Sequence, residues 1–385
     1  MRNRANPRMR APQLSPAGVN FLKCAYASPD FNIDPGQGIP DLFNGKSLGR
    51  KDVISAPITF TPNTDTYLVV MPTPGVAYWT FSVAAGTALT SANTVLTPVL
   101  YPGFDTLFGA AATGQAERSS NVTAFRYASM TAGLYPTSNM MQFAGSIQVW
   151  KVPIRYTEEV RRRALQTTPV SSVDFTLPAL AGFEGIGRVS NDNYSESFIK
   201  GCYTLSTNNG DDFEFREITD GIQSVPGGVG ATAGDVTGTS MYGSLRLDTS
   251  TQSTPAGIPA GVGPVFFGFG EMDSIVIKVT SPTGAVNSAI FKTWACLEMK
   301  PNANSALYQY AGHSPDHDSN AIEMYRQVAR RLPMAVPCEK NADFWLFVRN
   351  IIKSLAAVAS YVPGPIGLVG AGIGGAIAGI EAMTI

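Results

Sequence analysis

Between about residue 51 and residue 300 the apolar positions fall in short β-branched and aromatic runs. Ile58–Thr61, Thr66–Met71 and Val76–Val83 are bounded by Pro, Gly or Asn, the punctuation expected of strands. Further runs cover Ala124–Met130, Met141–Val152, Phe198–Leu205, Tyr242–Leu247, Ser274–Thr280 and Ala289–Met299. Ile147–Trp150 alternates apolar and polar, while Ile275–Val279 is β-branched except for Lys278. Half-buried and fully buried strands read in these two ways. Eight or more unevenly spaced strands predict a mainly β, two-sheet antiparallel sandwich. Three stretches rich in Gly, Thr, Ser and Pro, about 101–121, 155–190 and 219–265, are its long insertions.

The period changes towards the C-terminus. Residues 318–331 predict one helix, capped by Asp318 or Ser319 and ended by Pro333. A second amphipathic stretch runs from Asp343 to Ser360. Phe344, Val348, Ile351, Ile352, Leu355 and Val358 recur at three- and four-residue spacing, with Arg349, Asn350, Lys353, Ser354 and Ser360 opposite. Leu346 and Phe347 blur the division. Pro363–Pro365 breaks the pattern, and a glycine-rich, almost uncharged tail follows to Ile385. At the other end, residues 1–13 predict a disordered basic arm. Residues 14–50, with Pro29-Asp30-Phe31 and Asp34 to Pro40, read as irregular.

Composition sharpens this only in places. The 385 residues are 15% charged with a net charge of −1, so overall charge points to no partner. Its distribution does: Arg2, Arg4, Arg8 and Arg10 stand in a terminus with no acid before Asp30, suited to neutralising phosphates. No apolar core of a signal peptide follows them. Cys24, Cys202, Cys296 and Cys338 are far apart without metal spacing, and read as free thiols of a reducing compartment.

Most catalytic classes lack their residues. There is no phosphate-binding loop and no zinc spacing, and the only histidines, His313 and His317, flank Pro315 in what reads as a surface loop. In Asp211-Asp212-Phe213-Glu214 an extended chain puts Asp212 and Glu214 on one face, an oxygen pair for Ca²⁺ or a solvated acidic turn. Asn341-Ala342 precedes the amphipathic stretch. An Asn amide can attack its own carbonyl, close a succinimide and cut the chain, if rigidly held and assisted by a proton donor. A carboxylic acid buried among apolar groups supplies one. From residues alone two readings stand: a self-cutting precursor, or a tail-anchored or pore-forming membrane protein with a β-sandwich domain.

Several longer stretches carry a resemblance. Phe21-Leu22-Lys23-Cys24-Ala25, Pro35 to Asp41, Phe125 to Met130, Leu134 to Asn139, Gln142 to Ser146, Thr283 to Asn287 and Pro363 to Gly367 resemble the coat protein precursor of the insect nodaviruses (alphanodaviruses). The likeness spans 14–385, interrupted at the insertions. It implies an eight-stranded jelly roll (51–317) whose insertions protrude from a T=3 icosahedral shell around viral RNA. Residues 14–50 form an inner segment, and 318–341 an inner helix and cleavage loop. It implies a single-turnover, aspartate-assisted autocatalytic cut at Asn341-Ala342, with Asp30 as the acid. The freed peptide 342–385 permeabilises a host membrane through Phe344, Trp345, Val348, Ile351, Ile352 and Leu355. Structural Ca²⁺ at subunit contacts is implied for Asp212, Glu214 and Glu184, and RNA contact for the four arginines. Partners are then further copies of the chain, genomic RNA, a host membrane and a receptor. The place is the virion, assembled in the host cytoplasm. The family's Arg-rich arm is usually longer than the one here.

Overall fold

A computed structural model describes residues 14–26, 38–72, 74–87, 95–103, 121–137, 144–152, 163–167, 170–174, 193–210, 213–217, 245–246, 272–284, 286–338 and 346. Two antiparallel sheets dominate. One has the order β10 (Cys202–Thr207), β5 (Val122–Pro136), β14 (Asn287–Pro301), β1 (Lys46–Phe60), β15 (Gly312–His313), with β11 (Arg216–Glu217) also on β5. The other has the order β12 (Leu245–Arg246), β4 (Val95–Leu100), β3 (Val76–Ala84), β2 (Thr64–Val70), β13 (Ser274–Ser281), β6 (Ser146–Val152), β9 (Tyr194–Ser197). A separate hairpin pairs β7 (Arg163–Thr167) with β8 (Val170–Asp174), inside the second expected insertion. The chain crosses repeatedly between the sheets, so long-range pairs such as β1 with β14 hold the fold together.

One apolar core fills the space between the sheets, from Leu68, Trp79, Phe125, Ile147, Ile277 and Phe291 among others. Alternation along β14 shows how it is built. Phe291, Ala295, Leu297 and Met299 join this core, while Trp294 and Cys296 join a second one on the far side of the same strand. In β5 the inward set changes phase, from Phe125 and Tyr127 to Met130, Ala132 and Leu134. A bulge explains it: Leu297 pairs with Tyr127 but Cys296 with Ser129, leaving Ala128 as the extra residue. An inserted residue lets both halves keep their apolar side inward.

The second core lies beneath two helices, α1 (Pro16–Tyr26) and α2 (Ser319–Ala329), laid on the outer face of the β1–β14–β5–β10 sheet. Here the observed fold departs from the expected one, since 14–50 read as irregular. Pro16 at the first helical position and the spacing Phe21, Leu22, Ala25, Tyr26 are the overlooked signals. The α2 expectation is met with Asp318 as cap: its Oδ1 accepts from Asn320 N (3.1 Å) and Ala321 N (3.0 Å). Its Oδ2 accepts from Ser15 N at 2.7 Å, so the cap of one helix also ties down the start of the other. The helices pass so closely at Gly18 that a Cβ there would lie 2.8 Å from Ala321 Cβ.

The thiol expectation is also corrected. Cys24 and Cys296 form a disulfide, Cα–Cα 5.8 Å, joining α1 to β14. They are 272 residues apart in sequence, so nothing local announces the pair. Cys202 is a buried free thiol, and Cys338 is half-buried.

Candidate functional site

The outer face of the first sheet carries the two helices, the disulfide and the buried charges. By register its outward positions form rows: Lys51, Cys296 and Ser129, then Val53, Trp294 and Thr131, then Ser55, Lys292 and Gly133. α1 covers the first row and its disulfide locks it there. The last row is open. Val53, Ser55, Pro57 and Thr59 are exposed, and Ser288, Ile290 and Lys292 are half-buried.

Past α2, residues 333–338 run along the edge strand β10. Thr204 Oγ1 donates to Met334 O (2.7 Å), Tyr203 N to Val336 O (2.7 Å) and Val336 N to Tyr203 O (2.9 Å). Cys338 then packs beside Gly201, where a Cβ would lie 2.7 Å from Cys338 Sγ and 2.8 Å from Pro136 Cδ. Gly201, at φ +57, leaves that space open in a conformation L side chains rarely adopt. The segment 333–338 thus wraps the β10 edge of the sandwich: Lys151 of the other sheet donates to Pro333 O at 2.8 Å, and Val336 packs against the outer core.

A buried ionic hub sits at the end of this face nearest α2. Glu298 Oε2 accepts from Arg126 Nε (2.8 Å), Arg126 Nη2 (2.6 Å) and Ile39 N (3.0 Å). Its Oε1 accepts from the hydroxyls of Ser47 and Ser314. Arg126 also pairs with Asp41 and donates to Phe213 O at 2.9 Å. Phe215 lies 4.2 Å beneath the guanidinium. Arg126 is 1% exposed and Glu298 0%. Each charged group has a partner of opposite sign, the one guanidinium serving two carboxylates, of which Asp41 is partly exposed. Neither was singled out from sequence, although a charge within the apolar runs 124–130 and 289–299 (Arg126 in the first, Lys292 and Glu298 in the second) marks an outward position. Beside the hub, Asp41, Leu42, Phe213, His317, Ile322 and Arg326 line an open cleft.

Lys51 lies under the end of α1 and donates to Cys24 O at 3.3 Å, a last-turn carbonyl that the helix leaves unpaired. Burial pulls its ammonium from 10.5 down to about 7. Between about pH 7 and 10.5 the unfolded chain holds this proton more tightly than the folded one, so this residue makes stability rise with pH there. Below about 7 both states are protonated and the full penalty applies. Lys51→Met is expected to flatten that rise and to raise the melting temperature most at about pH 6. Melting curves across the range check it. Lys151, lowered to about 8 by burial, contributes in the same direction and stays in place.

Of the residues singled out from sequence, Glu214 is described, with an exposed carboxylate next to buried Phe213. Asp30, Asn341, Ala342, Asp212, Glu184, Arg2, Arg4, Arg8, Arg10, Phe344, Trp345, Val348, Ile351, Ile352 and Leu355 lie outside the described residues. Among the described residues no cluster of three metal-type ligands occurs, and no helix is long and apolar enough to cross a membrane. His313 and His317 are both exposed; His317 lies in the expected loop before α2, whereas His313 belongs to β15 and pairs with Lys46.

The model of the Peptidase A6 family matches residues 14–382, from α1 through the stretch beyond β10. The chain belongs to the Peptidase A6 family. Capsid protein alpha of Black beetle virus is 49% identical over 94% of this chain and 84% of its own length. Capsid protein alpha of Pariacoto virus is 40% identical over 97% and 88%. Among solved structures, infectious bursal disease virus Gt strain has a TM-score of 0.50 at 11% identity, covering 89% of this chain and all of that one. This last likeness is one of fold. The expected relation to the nodavirus precursor therefore holds for this Peptidase A6 member along nearly its whole length.

Proposed function

We propose that this protein is a viral capsid subunit that assembles into a T=3 icosahedral shell around RNA and then cuts itself at Asn341-Ala342. The observation that carries this is the extent of the family match, 14–382, which takes in both Asp30 and the Asn341-Ala342 bond. The relatives' printed name, capsid protein alpha, supports the same reading. The eight-stranded jelly roll is supported by strand order. Setting aside β3, β4 and the two-residue strands leaves β1-β14-β5-β10 facing β2-β13-β6-β9, two four-stranded sheets.

The cut follows from the residues. Asn341 Nδ2 attacks the main-chain carbonyl carbon of its own residue, and a C–N bond forms while the oxygen gathers negative charge. The C–N bond to Ala342 then breaks. One proton leaves Nδ2 and one reaches the departing amine, so the cut consumes no water and no oxidant. Water opens the succinimide afterwards. Asp30, kept neutral by burial, polarises the carbonyl. Covalent reach allows the meeting: Cys24 and Val336 are held on one face, and each residue extends the chain by at most about 3.5 Å. Six residues lead from Cys24 to Asp30 and five from Val336 to Asn341.

The released peptide, 342–385, acts on a membrane through Phe344, Trp345, Val348, Ile351, Ile352 and Leu355. Arg2, Arg4, Arg8 and Arg10 contact RNA phosphates. Asp212, Glu214 and Glu184 supply hard oxygen ligands for Ca²⁺ between subunits, and the exposed Glu214 carboxylate suits a shared site.

Electron microscopy and mass spectrometry of the purified full chain test the reading together. Closed shells of uniform size, containing nucleic acid and a 44-residue peptide beginning at Ala342, are expected. An intact chain that fractionates with membranes after a high-salt wash, with no shells, would instead favour the membrane-anchored alternative.

A further inference from the structure

One lysine adjoins both halves of the disulfide. Cys24 lies in the last turn of α1 and Cys296 on β14, and their residues are 3% and 6% exposed. Lys51 stands opposite Cys296 in the β1–β14 register. Residues so paired leave the sheet on the same face, with Cβ atoms about 5 Å apart. From there Lys51 Nζ reaches Cys24 O at 3.3 Å. The charges around it are sorted. Arg50 and Asp52 flank it in sequence, point to the other face and pair with each other. The outward charges flanking Cys296 on β14 are Lys292 and Glu298, and Glu298 is held by Arg126. Lys23, half-buried, is the charge in the last turn of α1.

The bridge fastens a helix that is weak alone. α1 has 11 residues, too few for a stable isolated helix. Its start is tied by Ser15 N to Asp318 Oδ2 (2.7 Å), and its end by Tyr26 Oη donating to Tyr325 O (2.5 Å) and by the disulfide. Phe21, Leu22, Ala25 and Tyr26 close the outer core over Tyr325 and Trp294. Opening the bridge leaves only non-covalent ties on this cover.

We propose that the Cys24–Cys296 bridge is an exchange site for thiols of the glutathione class, and that Lys51 makes it reducible by holding the departing Cys296 sulfur as a thiolate. The end of α1 lifts first, since both sulfurs are covered. A glutathione thiolate attacks Cys24 Sγ, and the S–S electron pair leaves on Cys296 Sγ beside the Lys51 ammonium. A second glutathione thiolate attacks the mixed disulfide, and oxidised glutathione departs as Cys24 Sγ takes up the electron pair. Two glutathiones are oxidised and one disulfide is reduced; one thiol proton ends on Cys24, the other on Lys51 or in solvent. A cation beside a sulfur stabilises its thiolate, which both speeds its departure and favours the reduced form. The burial that pulls Lys51 down to about 7 is offset once a thiolate lies next to it. This chemistry stands without the capsid reading. Only its use rests on that reading: α1 fastened outside the cell and loosened by cytosolic thiols.

The test equilibrates the purified full chain in glutathione buffers running from oxidised to cytosolic ratios. Alkylation and mass spectrometry count free Cys24 and Cys296, and hydrogen exchange reads residues 16–26. The parent is expected to be reduced within the cytosolic range, with protection lost in α1 and kept in β5 and β14. Lys51→Met should lower the reduced-to-oxidised ratio roughly ten-fold at a given buffer, while Lys51→Arg keeps it. If Lys51→Met gives no soluble protein, Lys51→Gln makes the same comparison. A purely structural Lys51 changes the melting temperature of both forms and leaves the ratio alone, which would overturn the inference. A parent bridge intact across the cytosolic range overturns it too, as does protection lost throughout the sheets on reduction. Should no shells form while these results hold, the capsid reading falls and the exchange site remains.

Discussion

Asn341→Ala is expected to assemble into particles whose subunits stay intact, with no peptide beginning at Ala342 even after prolonged incubation. The Ala side chain has no nitrogen to attack the carbonyl, so the intramolecular route is lost completely rather than slowed. Ordinary hydrolysis of a peptide bond cannot replace it on any practical timescale. The shell should form all the same, because the two cores and the sheet register lie upstream of the bond. Asp30→Asn separates the acid from the nucleophile. It keeps the shape and removes the acidic proton, and should slow the cut by about 10²–10⁴-fold, the range for a positioned general acid. Mass spectrometry of particles over days reads both. Continued cutting at 341–342 in Asn341→Ala would exclude the succinimide route, and normal kinetics in Asp30→Asn would remove Asp30 from its role.

The second large effect is on folding. Arg126→Met strips Glu298 of its two charge-assisted bonds and leaves a carboxylate about 0% exposed beside Ile39, Ser47 and Ser314. Removing one partner of a buried pair costs about 3–5 kcal/mol, a large share of a domain's net stability of about 5–15 kcal/mol. Asp41 and Phe213 O lose their donor as well. Little soluble protein and no particles are expected, with a strongly lowered melting temperature in whatever remains. Arg126→Met combined with Glu298→Gln should recover part of the loss, since the stranded charge is then gone. If the double variant is no better than the single one, the penalty comes from Arg126 packing on Phe43 and Phe215 rather than from the buried carboxylate.

Much of the sandwich was legible because strand signals are local. Runs such as Thr66–Met71 and Val76–Val83 became β2 and β3 nearly as read, since alternation and β-branching act over a few residues. The α2 cap was legible for the same reason. The short β4 and β9, and the hairpin at 163–174, were missed. The hairpin pairs two five-residue strands only with each other, and so shows no pattern long enough to stand out among Gly and Thr. α1 was missed although Ser15, Pro16 and its apolar spacing signal a helix, because the turn-rich stretch from Pro29 onward dominated the segment. Arg126 and Glu298 were visible as charges within apolar strands, but their pairing was not. They are 172 residues apart.

The sequence by itself determined the mainly β fold class, the capped helix at 319 and, through its resemblance, the kinship with the nodavirus coat protein precursors. It did so because short-range periodicity and long matched stretches are both written in residue order. Only the tertiary structure decided that Cys24 meets Cys296, that Arg126 pairs with Glu298, and that Trp294 lies beside Thr131. Each of these depends on which strand is beside which and on the parity set by the bulge at Ala128. Burial then turns that adjacency into chemistry, because a charge or an N–H away from water must find its partner within the fold.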